Sequence, residues 1–228
     1  MSGRARIACS VAFAVTMGLF EAAVVVYLRR LWEVGEIDVS SISLSNRIVL
    51  TEILREAASL AMIASVAFLA GRRGIERLAH AAIIFGVWDI LYYIFLRLLI
   101  GWPATILDWD VLFLIPRPWI GPVLAPILVS CALVWGGVVV AAREGARPVR
   151  PGKASWAGAL AGGAVVIGSF LLPAVPRSPS DTPSGFSWLL FLSGLIVALA
   201  GFILALYRPS KADSGPQRSF LSPPGDRR

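Results

Sequence analysis

Charged residues interrupt some of the most apolar stretches of this sequence. The run "GVWDILYYIFLRLLIGWP" at 86–103 would be an ordinary membrane-spanning helix without Asp89 at its middle and Arg97 two turns later. A carboxylate in such a position can bind a cation, carry a proton or act as a general acid or base. An arginine nearby can also pair with the carboxylate and do no more than hold two helices together.

Helical spacing groups these charges into two polar stripes. Glu52 and Glu56 are four residues apart with Arg55 between them, and polar residues also repeat every four from Asp89 onwards. Residues three or four apart share one face of a helix, and a charge at the bilayer centre costs about 2.5–3.5 kcal/mol. We therefore expect an interior polar pocket formed by seven residues: Glu21, Glu52, Arg55, Glu56, Asp89, Tyr93 and Arg97.

The predicted pocket carries more acids than bases. Four carboxylates face two arginines, which leaves a formal surplus of two negative charges. A bound cation, a protonated carboxyl or a basic substrate would each balance this surplus, because burial favours the neutral form of a carboxyl group. The alternative is that the charges are interhelical ion pairs that fix the packing of the helices and have no other role.

The segment after the third apolar run, "GWPATILDWDVLFLIPRPWIGPVLAP", is rich in proline and tryptophan. Pro122 and Pro126 fall inside the next apolar run, where a kink would leave backbone carbonyls free to bind a ligand. The tryptophans can also be explained as an aromatic belt at headgroup level. We expect this outer loop to form a lid over the pocket through four residues: Asp108, Trp109, Asp110 and Arg117.

Apolar helices must position these groups. The 228-residue chain is 57% hydrophobic and 15% charged, and its mean hydropathy is +0.76. A membrane span takes about 20 apolar residues, and six windows qualify: approximately 7–28, 48–70, 79–101, 119–142, 154–175 and 186–207. The predicted fold is an all-α bundle of six transmembrane helices over residues 1–207, followed by a disordered basic cytoplasmic tail at 208–228.

The basic residues predict the orientation of the bundle. Fourteen Lys and Arg residues flank the spans on the side of both termini, against five on the opposite side. Positive segments resist translocation, so both termini should face the cytoplasm of a bacterial inner membrane. We expect the scattered basic residues to contact membrane lipids and not nucleic acid, because no basic stretch is interleaved with aromatics that stack on bases. A homo-oligomer or a membrane complex is a further expected partner.

Few residues remain for other chemistry. His80 is the only histidine, and we expect it to lie at the membrane interface near the start of the third span. Two cysteines are too few for a disulfide framework, and we expect no metal ion and no cofactor. The glycines of "GALAG" at 158–162 are four apart, a spacing that allows close helix packing within the bundle or in a dimer.

These patterns leave three functional hypotheses. The first is a protein that binds or transports a small cationic or zwitterionic solute in an outward-facing pocket. The second is a membrane-embedded enzyme that uses paired carboxylates on a lipid or isoprenoid substrate. The third is an accessory subunit of a membrane complex whose buried charges are structural. The shape of the interior should discriminate among them, because a solute requires access from outside whereas a lipid substrate requires a lateral opening.

Overall fold

The computed structural model describes residues 2–33, 47–143, 148–173 and 185–207. These ranges contain six α-helices, namely α1 (Gly3–Glu33), α2 (Arg47–Ala70), α3 (Gly74–Ile100), α4 (Leu124–Arg143), α5 (Lys153–Leu171) and α6 (Trp188–Tyr207). An antiparallel hairpin of β1 (Trp109–Phe113) and β2 (Trp119–Pro122) connects α3 to α4. The predicted tail at 208–228 lies outside the described residues.

Each of the six helices is long and apolar enough to cross a membrane. Their outward faces carry large apolar side chains, such as Leu69, Leu98 and Leu189, which are exposed over 75–84% of their surface. Water would penalise such a surface, whereas lipid does not. The architecture is therefore that of a multi-pass membrane protein, as the hydropathy of the sequence predicts.

Helix α3 is the centre of the first four helices, because it packs against α1, α2 and α4, while α5 and α6 pair with each other. Two apolar clusters join the α5–α6 pair to the rest. At the end of the bundle where α1 begins, called here the terminal end, Ala205 of α6 clusters with Ala79 of α3. At the opposite end, called the hairpin end, Phe170 of α5 packs against Ala125 of α4.

Glycines set the closest helix contacts. A Cβ atom on Gly86 of α3 would lie 2.6 Å from the backbone oxygen of Ser130 on α4. A Cβ atom on Gly162 of α5 would lie 2.5 Å from the backbone oxygen of Gly194 on α6. Both distances are too short for a real side chain, so only glycine permits these approaches. The second glycine of "GALAG" thus serves the packing of α5 on α6.

The hairpin corrects the prediction for the loop and for the fourth span. The predicted span at 119–142 begins only at Leu124, because residues 119–122 form β2. Pro122 ends that strand, and Pro126 lies in the first turn of α4, where a missing N–H has no intrahelical partner to lose. Neither proline interrupts the helix, so the predicted kink is wrong. The all-α description holds for the spans but not for the segment between α3 and α4.

The hairpin is re-entrant, which means that it dips back between the helices. Its Phe113 ring packs on Phe85 and Trp88 of α3, with centroid distances of 6.2 and 6.3 Å. Trp88 lies twelve residues before the end of α3, which is a depth of about 18 Å along the helix. Non-helical backbone is tolerated at such depth only where protein surrounds it and satisfies its polar groups. The ring contacts of Phe113 provide this at the end of β1, whereas Pro116 and Arg117 in the turn that follows are exposed.

Candidate functional site

Arg55 on α2 holds the first group of polar side chains. Its guanidinium pairs with the Glu21 carboxylate on α1, and its Nε donates to Glu52 Oε2 at 2.8 Å. Ser59, one turn further along α2, donates its hydroxyl to the other oxygen of Glu21. Glu21 is only 2% exposed. A carboxylate buried to this degree requires both a counter-charge and hydrogen bonds, and α2 supplies both.

Glu56 holds the tip of the hairpin. Its two carboxylate oxygens accept from the backbone N–H of Leu114, at 3.1 and 3.0 Å. Leu114 follows β1 directly, where the ladder between the strands has ended. A buried backbone N–H without a partner is costly, so the Glu56 side chain, itself buried, takes the place of a strand partner. This contact fixes the hairpin to α2.

Two further carboxylates connect α3 to its neighbours. Ser130 of α4 donates its hydroxyl to Asp89 Oδ2 at 2.8 Å. The phenol of Tyr93, also on α3, donates to Asp110 Oδ2 of β1 at 3.1 Å. Tyr93 is buried, whereas Asp89 and Asp110 are partly exposed. Asp110 is thus the second point at which a polar side chain ties the hairpin to the helices.

Tyr92 lies beside Tyr93 on α3, with the two ring centroids 5.0 Å apart. It is within electrostatic range of Arg55, Asp89 and Asp110. Arg29 near the end of α1 is within range as well, and its guanidinium lies 3.8 Å above the ring of Trp102. The groups therefore form one unit around the hairpin, called here the hairpin cluster. Its members are Glu21, Arg29, Glu52, Arg55, Glu56, Ser59, Asp89, Tyr92, Tyr93, Asp110 and Ser130.

The hairpin cluster is rich in acid. It holds five carboxylates, those of Glu21, Glu52, Glu56, Asp89 and Asp110, against the two guanidiniums of Arg29 and Arg55. Full ionisation would leave a formal excess of three negative charges. Burial raises the pKa of the Asp110 carboxyl to about 6, although the charge of Arg29 opposes this shift. The geometry can therefore hold a proton or a cation.

Arg97 lies outside the cluster, contrary to the expectation that it belongs to the pocket. Its side chain is exposed at the end of α3 and donates to the backbone oxygens of Gly101 and Pro103, the latter at 3.0 Å. The last carbonyls of a helix lack intrahelical partners, and a basic side chain satisfies them favourably. Among the residues that the structure describes, Asp89 accepts a hydrogen bond from Ser130 and pairs with no arginine.

Asp108 has a local role in the turn before β1. Its carboxylate accepts from the backbone N–H groups of Ala104 and Thr105, at 2.7 and 3.3 Å, and from the Thr105 hydroxyl at 2.7 Å. The hydroxyl bond, together with these backbone bonds, lowers the pKa of Asp108. Hydrogen bonds of this pattern are typical of an aspartate that stabilises a turn.

Two more residues of the predicted lid contact the scaffold. The Trp109 ring meets Phe186 edge to face at a centroid distance of 6.3 Å. Arg117, at the exposed tip of the hairpin, donates to the backbone oxygen of Leu171. Of the four residues predicted for a lid, only Asp110 reaches the hairpin cluster. The other three position the hairpin, and a lid function stays a prediction.

Four members of the cluster were not predicted from the sequence. Arg29 was assigned to a loop, because its span was predicted to end at residue 28, whereas α1 continues to Glu33. Ser59 follows Glu56 by three residues, and this spacing was a usable signal. Tyr92 and Ser130 carried no such signal in the sequence, because single hydroxyl-bearing residues are common in apolar spans.

A second group of polar side chains is buried at the terminal end, where only an interfacial His80 was expected. Arg6 NH1 lies 3.6 Å from Glu76 Oε1, and Glu76 is 1% exposed. The ring of His80 is buried and its Nδ1 shares a hydrogen bond of 2.9 Å with the Ser10 hydroxyl. This group is called the terminal cluster. Glu76 was not predicted to be buried, because it stands close to a basic loop in the sequence.

Within the described ranges, no three side chains of His, Cys, Asp or Glu are arranged to hold a metal ion. Both cysteines are exposed rather than packed in the interior. No family model matches the chain, and no curated protein or solved structure shows significant similarity to it.

Proposed function

We propose that this chain is a protein of a bacterial inner membrane that binds or transports a small cationic or zwitterionic solute at the hairpin cluster. The observation that carries the proposal is the excess of carboxylates, five against two guanidiniums, around one re-entrant segment. A buried negative excess attracts a positive group strongly, because protein screens charge less than water does. The cationic part of the solute would balance that excess.

The proposal includes an orientation in which both termini face the cytoplasm and the hairpin end faces outward. The bias of fourteen against five basic residues supports it. Ile106, exposed at 55%, offers a labelling position at the hairpin end. In a chain whose Cys9 and Cys131 are replaced by Ala, a membrane-impermeant maleimide should label Ile106→Cys in intact cells. Labelling that requires permeabilised membranes would reverse the orientation.

Choline is a suitable first probe, because an isostere without charge exists. We expect choline to raise the thermal unfolding midpoint of the detergent-purified protein, whereas 3,3-dimethylbutan-1-ol at equal concentration does not. Potassium chloride at matched ionic strength controls for screening. Ethanolamine and arginine extend the test to primary amines and guanidines. The proposal fails if none of these cations stabilises the protein beyond the salt control.

Asp89→Asn connects the binding test to the site. The amide oxygen of Asn can still accept the Ser130 hydroxyl, so the unfolding midpoint without ligand should change little. The stabilisation by the cation should become clearly weaker, because the formal excess falls from three negative charges to two. Ser130→Ala is the matched control, since it removes the hydrogen bond and keeps the charge. It should retain the response to the cation.

The hydrogen bonds of the cluster favour a second candidate function, that of an accessory subunit. Each of the five carboxylates already accepts from a group of the chain itself, namely Ser59, Arg55, Leu114, Ser130 and Tyr93. A cluster of this kind can have a purely structural role, which is to hold the helices together. The absence of any response of the parent protein to these cations would support this candidate.

A further inference from the structure

A cavity of about 330 Å³ lies at the terminal end of the bundle, far from the hairpin cluster. Two arginines line it, Arg73 just before α3 and Arg150 just before α5. Its apolar lining includes Ile75, Val140 and Val149. A cavity with guanidiniums beside an apolar wall can accept a molecule that is anionic at one end and apolar at the other.

The two guanidiniums are available to a ligand. Both arginines are exposed, and within the described part of the chain neither forms an ion pair with a carboxylate. Glu76 also lines the cavity, but its carboxylate accepts from the backbone N–H groups of Arg72 and Arg73, at 2.6 and 3.1 Å. It also lies 3.6 Å from Arg6. Its charge is thus already compensated, and the lining has a basic excess.

The depth of the cavity agrees with the headgroup layer of a membrane. Arg73 immediately precedes the first residue of α3, and Val140 lies three residues before the end of α4. These helices have 27 and 20 residues, which span about 30–40 Å against a hydrocarbon core of about 30 Å. Their ends therefore lie where lipid phosphates lie, and basic pockets between helices at this level bind anionic headgroups.

We propose that the cavity lined by Arg73 and Arg150 binds the phosphate of an anionic phospholipid from the leaflet that borders the terminal end. The guanidinium groups hold the phosphate through charge-assisted hydrogen bonds. Ile75, a partly exposed apolar residue of the lining, contacts the glycerol and the first methylene groups of the lipid. The site is independent of the hairpin cluster and of the function proposed there.

Native mass spectrometry of the full chain in a neutral detergent tests the proposal. Dioleoyl-phosphatidylglycerol is the probe, and dioleoylglycerol, which has the same chains without phosphate, is the comparison. We expect one phosphatidylglycerol to be retained per chain and dioleoylglycerol to bind far more weakly. Equal retention of the two lipids would overturn the proposal, because it would show that the apolar wall alone binds.

Two charge-matched variants locate the site. Arg73→Gln with Arg150→Gln should weaken binding of phosphatidylglycerol roughly tenfold or more, since both charge-assisted contacts are lost. Arg72→Gln with Arg143→Gln removes two charges at the same end but outside the lining, and should have little effect. An equal loss in both variants would indicate diffuse attraction and refute the assignment to the cavity.

A competition experiment separates a lipid from a soluble phosphate. Glycerol phosphate, the headgroup without its chains, should fail to displace the lipid at concentrations at which phosphatidylglycerol saturates the site. Displacement at comparable concentration would overturn the lipid assignment in favour of a free phosphate ester. If the double variant does not fold, Arg150→Gln alone decides the question, because Arg150 lies outside the helices. It should weaken binding several-fold while leaving the unfolding midpoint without lipid unchanged.

Discussion

Arg55 joins α2 to α1 through its ion pair with Glu21. Arg55→Gln should cost about 3–5 kcal/mol of unfolding free energy, because it leaves Glu21 buried without a counter-charge. This loss can be measured by adding sodium dodecyl sulfate stepwise to the protein in neutral detergent micelles until it unfolds. Exchanging Glu21 for Gln in the same chain should restore part of it, since the remaining carbonyl still accepts from Ser59.

Arg97→Gln is the matched control for that prediction. Arg97 is exposed at the end of α3, and exposed charge contacts contribute about 0–1 kcal/mol. A similar loss of stability in Arg97→Gln and Arg55→Gln would contradict the assignment of Arg55 to a buried ion pair. It would instead support the original expectation that Arg97 belongs to the pocket.

Asp110 gives the hairpin a pH dependence. Burial raises its pKa from the ordinary 3.8 to about 6, so the folded protein holds this proton more tightly than the unfolded chain does. The contribution of Asp110 to stability should therefore be largest at low pH and decrease as the pH rises from about 4 to about 6. Thermal unfolding midpoints across this range should fall more steeply for the parent than for Asp110→Asn.

Asp108→Asn is the control for the pH prediction, because Asp108 lies two residues before Asp110 on the same segment. Hydrogen bonds, first of all from Thr105, lower the pKa of Asp108, so its stabilising contribution is lost only as the pH falls below the ordinary range of an aspartate. Its exchange should leave the slope between about pH 4 and 6 unchanged. If Asp108→Asn flattens that slope and Asp110→Asn does not, the titrating group has been assigned wrongly.

The structure brings together most of the charged residues that stand in apolar runs, while their role as a binding pocket stays a prediction. Six of the seven residues expected in the pocket contribute to the hairpin cluster, because hydrocarbon forces every in-span charge towards a protein partner. Arg97 was misplaced because helical periodicity does not show where the helix ends. Ser130 could not be predicted, since the partner of Asp89 depends on the packing of α4 on α3.

At the level of secondary-structure elements, the hairpin is held mainly by its tip. Phe113→Ala should cost about 3 kcal/mol, because it removes a ring that packs on Phe85, Trp88 and Trp119. Hydrogen–deuterium exchange of the peptide that contains Leu114 should also become faster, since the Glu56 bond depends on the docked tip.

Val111→Ala is the control within the same strand. Val111 is 47% exposed, so its truncation should change both stability and exchange only slightly. The docking of the hairpin through its tip would be refuted if exchange at Leu114 were equally slow in Phe113→Ala and in the parent protein.

The helices were predictable as elements, and the hairpin was not. Hydropathy identifies a span by the large number of apolar residues in one window, so each predicted window overlaps its helix. The segment around Phe113 and Trp119 is equally apolar, and composition cannot separate a strand that enters the bundle from the start of a span. Only the antiparallel pairing of 109–113 with 119–122 decides between them.

On the scale of the whole molecule, α5 and α6 depend on glycine for their contact. Gly162→Ala should destabilise the protein, because its Cβ would lie 2.5 Å from the Gly194 oxygen and 2.8 Å from the Ala198 Cα. Gly163→Ala places its Cβ in open space, and should stabilise α5 by about 0.5–1 kcal/mol. Unfolding in sodium dodecyl sulfate compares the two. Equal effects would contradict the packing described here.

The sequence did not predict which helices pack against each other. The number of spans follows from hydropathy, but the division into a four-helix group around α3 and an α5–α6 pair results from shape, through close approaches at Gly86 and Gly162. Small residues occur in every span, so their pattern does not identify neighbours. The basic lining of the terminal cavity was equally hidden, because Arg73 and Arg150 lie far apart in the sequence.

The position of the hairpin in the chain has a consequence for the order of membrane insertion. The groups that hold the hairpin, Glu56 of α2 with Trp88 and Tyr93 of α3, are synthesised before it. The hairpin can therefore dock as soon as it leaves the ribosome and the insertion machinery, before α5 exists. In that order of events, α5 packs its Phe170 ring on a Trp119 ring that is already in place.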